Sequence, residues 1–285
     1  SRKFSDVPAL IHNVFFLEES LNKRIRNNRF EAQFGIRHTT YNVYKTLNML
    51  WEPRVNFNYT NYLSKMTKIS FHGGYGIQYK LPMLQHLYPD DAWLDMISVN
   101  HYDAENPENS YALISSSNVS TENDNLKPAK SEKWEIGLDF KIPVLNITLT
   151  AFSENHTNSI LFTKNYHNTI FNTYNYSDIS NYTVLPQTLG IPSVQKEFYN
   201  SYQYPSNRKS TLKQGVEYVV SSPKIKSIQT SLNLSGAWFK IKTTNNVEPY
   251  LNLPISNTQE QFDYIGIYEG GDGEKAERFS SNLRA

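Results

Sequence analysis

The side chains able to do chemistry in this chain are histidines, carboxylates, tyrosines and asparagines, and their spacing limits what they can do. With 0 Cys, thiolate nucleophiles, thiolate metal sites and disulfides are all excluded. The 7 His are scattered; His156 and His167 share one segment, which reads as a loop, and no carboxylate stands beside them at ligand spacing. The acidic turn Pro89-Asp90-Asp91 and the Gly-Gly-Asp-Gly-Glu run around Asp272 offer oxygens without the repeated spacing of a calcium loop, so both read as solvated turns. No HExxH, GxSxG or P-loop pattern occurs. The Gly73–Gly76 run, GGYG, lies inside a strand pattern rather than at the opening of a helix, so it serves bending or close packing and not dinucleotide binding. The chain is expected to be no enzyme and to need no metal or cofactor.

A binding chemistry is better supported. Between Glu154 and Asn207 the sequence is dense in Asn and Tyr, with Tyr166, Tyr174, Tyr176, Tyr182, Tyr199, Tyr202 and Tyr204 set among asparagines. A tyrosine presents a flat apolar face and a hydroxyl, and an asparagine amide adds paired donors and acceptors. Such a surface stacks on sugar rings or pairs with a peptide backbone. These residues are the candidate ligand contacts; the bland alternative is an outer loop that packs only on itself.

The elements that must carry this loop are strands. From Trp134, the residues Trp134, Ile136, Leu138, Phe140 and Ile142 fall on every second position, with Glu135, Gly137, Asp139 and Lys141 between them. Pro143 turns the chain, because it has no ladder N–H, and Leu145, Ile147, Leu149 and Ala151 then alternate with Asn146, Thr148 and Thr150. Three other hairpins have the same character. The first joins Ile11–Leu21 to Arg29–Arg37, in which Phe30, Ala32, Phe34 and Ile36 oppose Glu31, Gln33, Gly35 and Arg37. The second joins Trp51–Thr60 to Ile69–Tyr79, and the last joins Thr211–Val220 to Ile228–Ile241. Short strands are also expected near Met96–Tyr102 and Tyr111–Val119, and a further strand starts near the RFSSNLRA end.

The connections alternate in length. Short ones fall near Asn22, Asn61, Pro143 and Ser221. Longer ones are a segment of some ten residues ending at Leu50, then Lys80–Lys130, Glu154–Asn207 and Lys242–Ser280. Consecutive turns of a meander lie at opposite ends of its strands, so the short ones share one end. Outer-membrane barrels sort their connections in this way, with short periplasmic turns and long extracellular loops, whereas a β-sandwich has no reason to. In a barrel the apolar face meets lipid, and Glu31, Arg37, Arg54, Glu135, Asp139 and Lys141 point into the lumen. Trp134, Trp238, Tyr79 and Tyr59 then stand at headgroup level.

Composition agrees with a half-wet sheet, since aromatics are 14% of the residues while mean hydropathy is −0.57. The net charge of +1, evenly spread, excludes a nucleic-acid partner. No apolar run is long enough for a membrane helix, which leaves a barrel open. The start lacks an apolar signal core and the end breaks into a new strand, so the 285 residues are expected to be a piece of a larger chain.

LKPAKSEKWEIGLDF (Leu126–Phe140) resembles a segment of the TonB-dependent outer-membrane receptors, in which Leu-Lys-Pro, charged residues and an aromatic-Glu-apolar-Gly pattern lead into a barrel strand. WEPRVNFNY (Trp51–Tyr59), FHGGYGIQYKLP (Phe71–Pro82), and GVEYVV with SLNLSGAWF (Gly215–Phe239) agree with it in order and spacing. The flavour is that of Bacteroidota receptors, including the SusC-like importers. The resemblance implies an outer-membrane barrel of about 22 strands, closed by an N-terminal plug and energised by TonB, with a nutrient as cargo and a surface lipoprotein as a partner. Residues 1–285 would then be one partial β-barrel domain, an all-β antiparallel meander without the plug and the remaining strands. A passive outer-membrane barrel or surface adhesin, and a soluble carbohydrate-binding β-sandwich, remain as alternatives.

Overall fold

In the computed structural model the described residues are 5, 7–43, 46–179, 181, 183–245, 266 and 273–285. One antiparallel sheet dominates. Its strands are β1 (His12–Ile25), β2 (Asn28–Val43), β3 (Thr46–Tyr62), β4 (Lys68–Lys80), β7 (Ala129–Ile142), β8 (Leu145–Tyr174), β9 (Ser193–Ser221), β10 (Asn233–Asn245) and β11 (Glu274–Arg284). They follow one another in chain order across the nine-stranded sheet, with β1 and β11 at its edges. Two shorter strands, β5 (Ala92–His101) and β6 (Tyr111–Val119), form a separate hairpin between β4 and β7, preceded by the one-turn helix α1 (Leu84–Leu87).

Register carries the alternation from strand to strand. Phe34 pairs with Val55, Val55 with Tyr75, Tyr75 with Trp134, and Trp134 with Ser153. The charged positions form a matching row on the other face, where Gly35 pairs with Arg54, Arg54 with Gly76, and Gly76 with Lys133. The apolar face is bare. Phe34, Phe71, Ile136 and Leu138 are each more than two-fifths exposed, and the one buried apolar cluster among the described residues, Tyr41, Leu87 and Leu126, sits elsewhere. No second sheet covers this face among the described residues. A soluble sandwich would bury its apolar face, so the observation favours lipid as its solvent.

The shared end of the short connections is observed. Residues 26–27, 63–67 and 143–144 lie at one end together with 222–232, which is longer than expected, and residues 81–128 and 175–192 lie at the other. At that other end β3 follows β2 after only two residues, so the sorting by length holds for the longest described connections and not for every one. Several expected boundaries are corrected. The ten-residue connection before Leu50 does not exist, since β2 runs to Val43 and β3 starts at Thr46. Strand β10 begins at Asn233 rather than Ile228, because Ile225 and Thr230 form an isolated bridge inside the turn. The largest correction concerns Glu154–Asn207, most of which is strand rather than loop. Asn and Tyr abundance suggested loop, but tyrosine and threonine favour strands and cross-strand pairing decides the outcome.

Glycines let side chains cross the sheet surface. A Cβ on Gly73 would come within 2.7 Å of the Phe57 ring, and one on Gly74 within 2.7 Å of Asn56 Oδ1. The expectation of close packing at this run therefore holds, on the apolar face for Gly73 and on the polar face for Gly74.

Candidate functional site

Strands β8 and β9 outgrow their neighbours. Pairing of β7 to β8 stops at Lys130–Thr157, and pairing of β10 to β9 stops at Asn245–Lys209. Beyond these points β8 and β9 continue together up to the Tyr174–Ser193 pair, as a two-stranded projection at the end where the long connections gather. At its base the register shifts between His156 and Leu161, and Asn158 takes a φ of 56°. Asparagine tolerates that left-handed conformation better than most residues, and a bulge re-aims the strand that carries it.

Past the bulge the tyrosines divide by alternation. Tyr202 and Tyr204 share a face with Thr163, Asn165, Thr169, Asn200 and Ser206. That face packs toward β5. Asn200 Nδ2 donates to Met96 Sδ at 3.4 Å and to Thr169 Oγ1 at 3.3 Å, Asn165 Nδ2 donates to Tyr202 Oη at 3.0 Å, and the buried hydroxyls of Thr163 and Ser206 pair. Tyr166, Tyr174 and Tyr199 lie on the opposite, more open face with Lys164, Asn168 and Glu197. Tyr166 pairs with Ser201 and Asn168 with Tyr199, so Tyr166 and Tyr199 are diagonal neighbours. Lys164 Nζ lies 5.1 Å from the centre of the Tyr166 ring, and Asn168 Nδ2 donates to Glu197 Oε2 at 2.9 Å.

Tyr176, in the 3-10 turn Tyr176–Asp178, stacks on His101 with ring centres 3.4 Å apart and donates its hydroxyl to the Asn109 carbonyl at 2.9 Å. It therefore ties the projection to the β5–β6 lobe. Tyr182 lies outside the described residues, as does Asp272. His156 and His167 both stand on β8, where His156 Nε2 is 2.9 Å from Glu154 Oε1 on the wall and His167 belongs to the projection. No group of three or more potential ligands could hold a metal ion among the described residues.

The lobe is fastened at the base of the projection as well. Lys127 N donates to Asn207 Oδ1 at 2.7 Å, Asn207 Nδ2 returns a bond to Lys127 O at 2.8 Å, and Asn123 Nδ2 donates to Pro205 O at 2.9 Å. His86 on α1 faces the Phe162 ring at 5.8 Å and accepts from Met83 N–H at 3.4 Å through Nδ1. Burial, with Lys80 nearby, holds its pKa below the ordinary histidine value. Asp103 in the loop between β5 and β6 is held below the usual carboxylate range by the N–H of Asn106 and, more weakly, that of Glu105, each at 3.0 Å.

Below the projection, the polar face holds a cavity of about 610 Å³ whose lining includes Glu18, Arg37, Glu52, Arg54, Lys133 and Glu154. Its charges are largely matched. Arg54 pairs with Glu18 at 2.6 Å, Arg37 with Glu52 at 2.5 Å and Lys133 with Glu135 at 2.8 Å; elsewhere on the same face His72 Nδ1 lies 2.9 Å from Asp139 Oδ2. The sequence placed Arg37, Arg54, Glu135 and Asp139 on this face but missed Glu18, Glu52 and Glu154. Glu52 and Glu154 stand on the polar parity of their strands, whereas the imperfect alternation of β1 hid Glu18.

A bare apolar face, a polar face of matched charges and the longest described connections gathered at one end are the features of an outer-membrane β-barrel wall. The family model for "TonB dependent receptor-like, beta-barrel" matches residues 9–217, and the chain belongs to that family. Its members are outer-membrane transport proteins rather than enzymes. Among solved structures, the siderophore receptor PirA from Acinetobacter baumannii is similar at 10% identity with a TM-score of 0.35. That match covers 96% of this chain and 47% of the receptor chain. A search of curated proteins finds no match.

Proposed function

We propose that this chain is part of the wall of a receptor that captures a polar nutrient with its outer projection and passes it through the barrel. The energy would come from TonB through a plug domain, and the sheet would continue beyond β1 and β11 into the rest of the barrel. The observation that carries this reading is the placement of Tyr166, Tyr199, Lys164 and Asn168 on the open face of a hairpin that stands above a polar wall. Aromatic faces beside amide groups suit an oligosaccharide or a peptide. The matched charges of the wall below make a strongly anionic chelate the less favoured cargo.

The Bacteroidota, SusC-like assignment belongs to this proposal and rests on the Leu126–Phe140 pattern; it carries with it a surface lipoprotein partner. Tyr202, Tyr204 and Tyr176 serve the site by fixing the projection to the lobe, and the ligand contacts are assigned to Tyr166, Tyr174 and Tyr199. The test is uptake by cells carrying the full-length protein, with labelled oligosaccharide and peptide pools as probes. Tyr166→Ala with Tyr199→Ala is expected to weaken capture at least about tenfold, since aromatic stacking contributes on the order of 1 kcal/mol per ring. A protonophore is expected to stop uptake while leaving surface capture intact. Capture with no energised uptake would make the protein an adhesin or passive barrel instead.

A further inference from the structure

The outward face of β10 and β11 changes character toward the end of the long connections. Leu234, Gly236 and Trp238 alternate outward on β10, and Leu283, Ser281 and Phe279 face outward beside them on β11. Trp238 pairs directly with Phe279. The next outward positions are Lys240 and Lys242 on β10, and Glu277 and Lys275 on β11. Lys242 is directly opposite Lys275, and like charges at a directly opposed cross-strand pair destabilise a sheet. Lys240 stands two residues from Lys242 on the same face, about 7 Å along the strand.

The one carboxylate in the group is already engaged, for Glu277, opposite Lys240, accepts the Trp238 indole N–H at 2.6 Å. Among the described residues none of these lysines has an ion-pair partner. The outward positions of the neighbouring strand β9 add only Leu212 and Gln214. The outward face of β4 and β7 differs. There Lys130 binds Glu132 at 2.8 Å and Tyr75 donates its hydroxyl to the same carboxylate at 2.8 Å, so that patch neutralises itself.

We propose that Lys240, Lys242 and Lys275 form a binding site for the phosphate of an outer-leaflet lipid headgroup. Their position one step beyond an outward-facing Trp–Phe pair sets them at the depth where headgroups begin. A phosphate between Lys242 and Lys275 would convert their repulsion into two charge-assisted contacts, with Lys240 as the third donor. The adjoining apolar positions would receive the acyl chains. This inference needs the membrane orientation of the wall but not the identity of any imported ligand.

The test uses the full-length protein in neutral detergent, with short-chain phosphatidic acid as the probe and thermal unfolding as the readout. The expected result is a saturable rise in Tm for the wild type. In Lys242→Gln/Lys275→Gln the half-effect concentration should rise about tenfold or more, given the roughly 1 kcal/mol that each such lysine contributes near an anionic surface. Lys224→Gln/Lys226→Gln, at the opposite end of the sheet, should respond as the wild type does. Removing a repulsive pair does not threaten folding, so the variant reports on binding. An unchanged half-effect concentration in the double variant overturns the proposal. So does an equal response to inorganic phosphate, which would assign the lysines to a free anion.

Discussion

Glu52 shows how much one side chain can hold in this wall. The β3–β4 ladder ends at Arg54–Gly76, although β3 continues back to Thr46 and β4 on to Lys80. Where the ladder lapses, Glu52 supplies the missing partner. Its Oε1 accepts the Tyr79 N–H at 2.8 Å and Arg37 Nη2 at 3.1 Å, while Oε2 accepts Arg37 Nε at 2.5 Å and the Thr39 hydroxyl at 3.5 Å. The carboxylate is almost fully buried, at 5% exposure, and Arg37 is not, at 45%. Every group around this buried carboxylate donates to it, so an amide in its place would turn an N–H donor toward donors and leave a buried hydrogen bond unmade, which costs more than a surface pair is worth. Glu52→Gln is therefore expected to destabilise the folded barrel by about 1–3 kcal/mol. Glu31→Gln, which breaks a more exposed pair with Arg29, should cost under about 1 kcal/mol. Urea midpoints of the two variants in the same detergent check the contrast, and equal midpoints would remove Glu52 from this role.

At the scale of elements, the docking of the β5–β6 lobe on the projection carries a pH dependence. His86 has its pKa lowered on folding by burial against the hairpin, so the folded state binds fewer protons than the unfolded one. The sign follows directly: the stabilisation is full above the unfolded value of about 6.5 and is lost as the pH falls through the window below it. Protonation also removes the Nδ1 acceptor of the Met83 N–H. The protection factors of amides at the base of the projection, around Phe162, with the base-catalysed intrinsic exchange rate divided out, are thus expected to fall as pH drops from about 7 to 5, and His86→Phe should flatten that response. A response unchanged in the variant would place the titrating group elsewhere. Much of this architecture is legible in the sequence, because period-2 alternation in runs such as Trp134–Ile142 reports a sheet with unlike faces. The projection was less so. Its face toward β5 is polar yet covered, as at Thr163, Thr169 and Asn200, so neither face shows the apolar alternation that marks a strand, and only pairing across the hairpin reveals it. For the same reason the tyrosines read as one loop, when the bulge at Asn158 and the strand period divide them between a packed face and an open one.

For the whole molecule, the decisive physical statement is that the sheet has two solvents. Phe30, Phe34 and Ile36 on β2 are exposed on the apolar side, while Gln33 on the other side donates to Glu18 at 2.7 Å and accepts from Asn56 at 3.2 Å. Neighbouring positions on one strand should then answer oppositely to the same change. Phe34→Arg sets a guanidinium in the hydrocarbon, at a cost of about 2–4 kcal/mol near the bilayer midplane. Gln33→Arg adds a cation next to Glu18 on a face that already holds Arg37 and Arg54 in ion pairs, where water, plug or carboxylate can satisfy it. Assembly of the full-length protein into outer membranes, followed by heat-modifiable gel mobility, is expected to fall sharply for Phe34→Arg and to stay near the wild-type level for Gln33→Arg. Equal assembly of the two would mean that the apolar face does not meet lipid at Phe34. The wall would then have to bury that face against protein, as a soluble sandwich does, and the long connections at one end would lose their meaning as an outer surface.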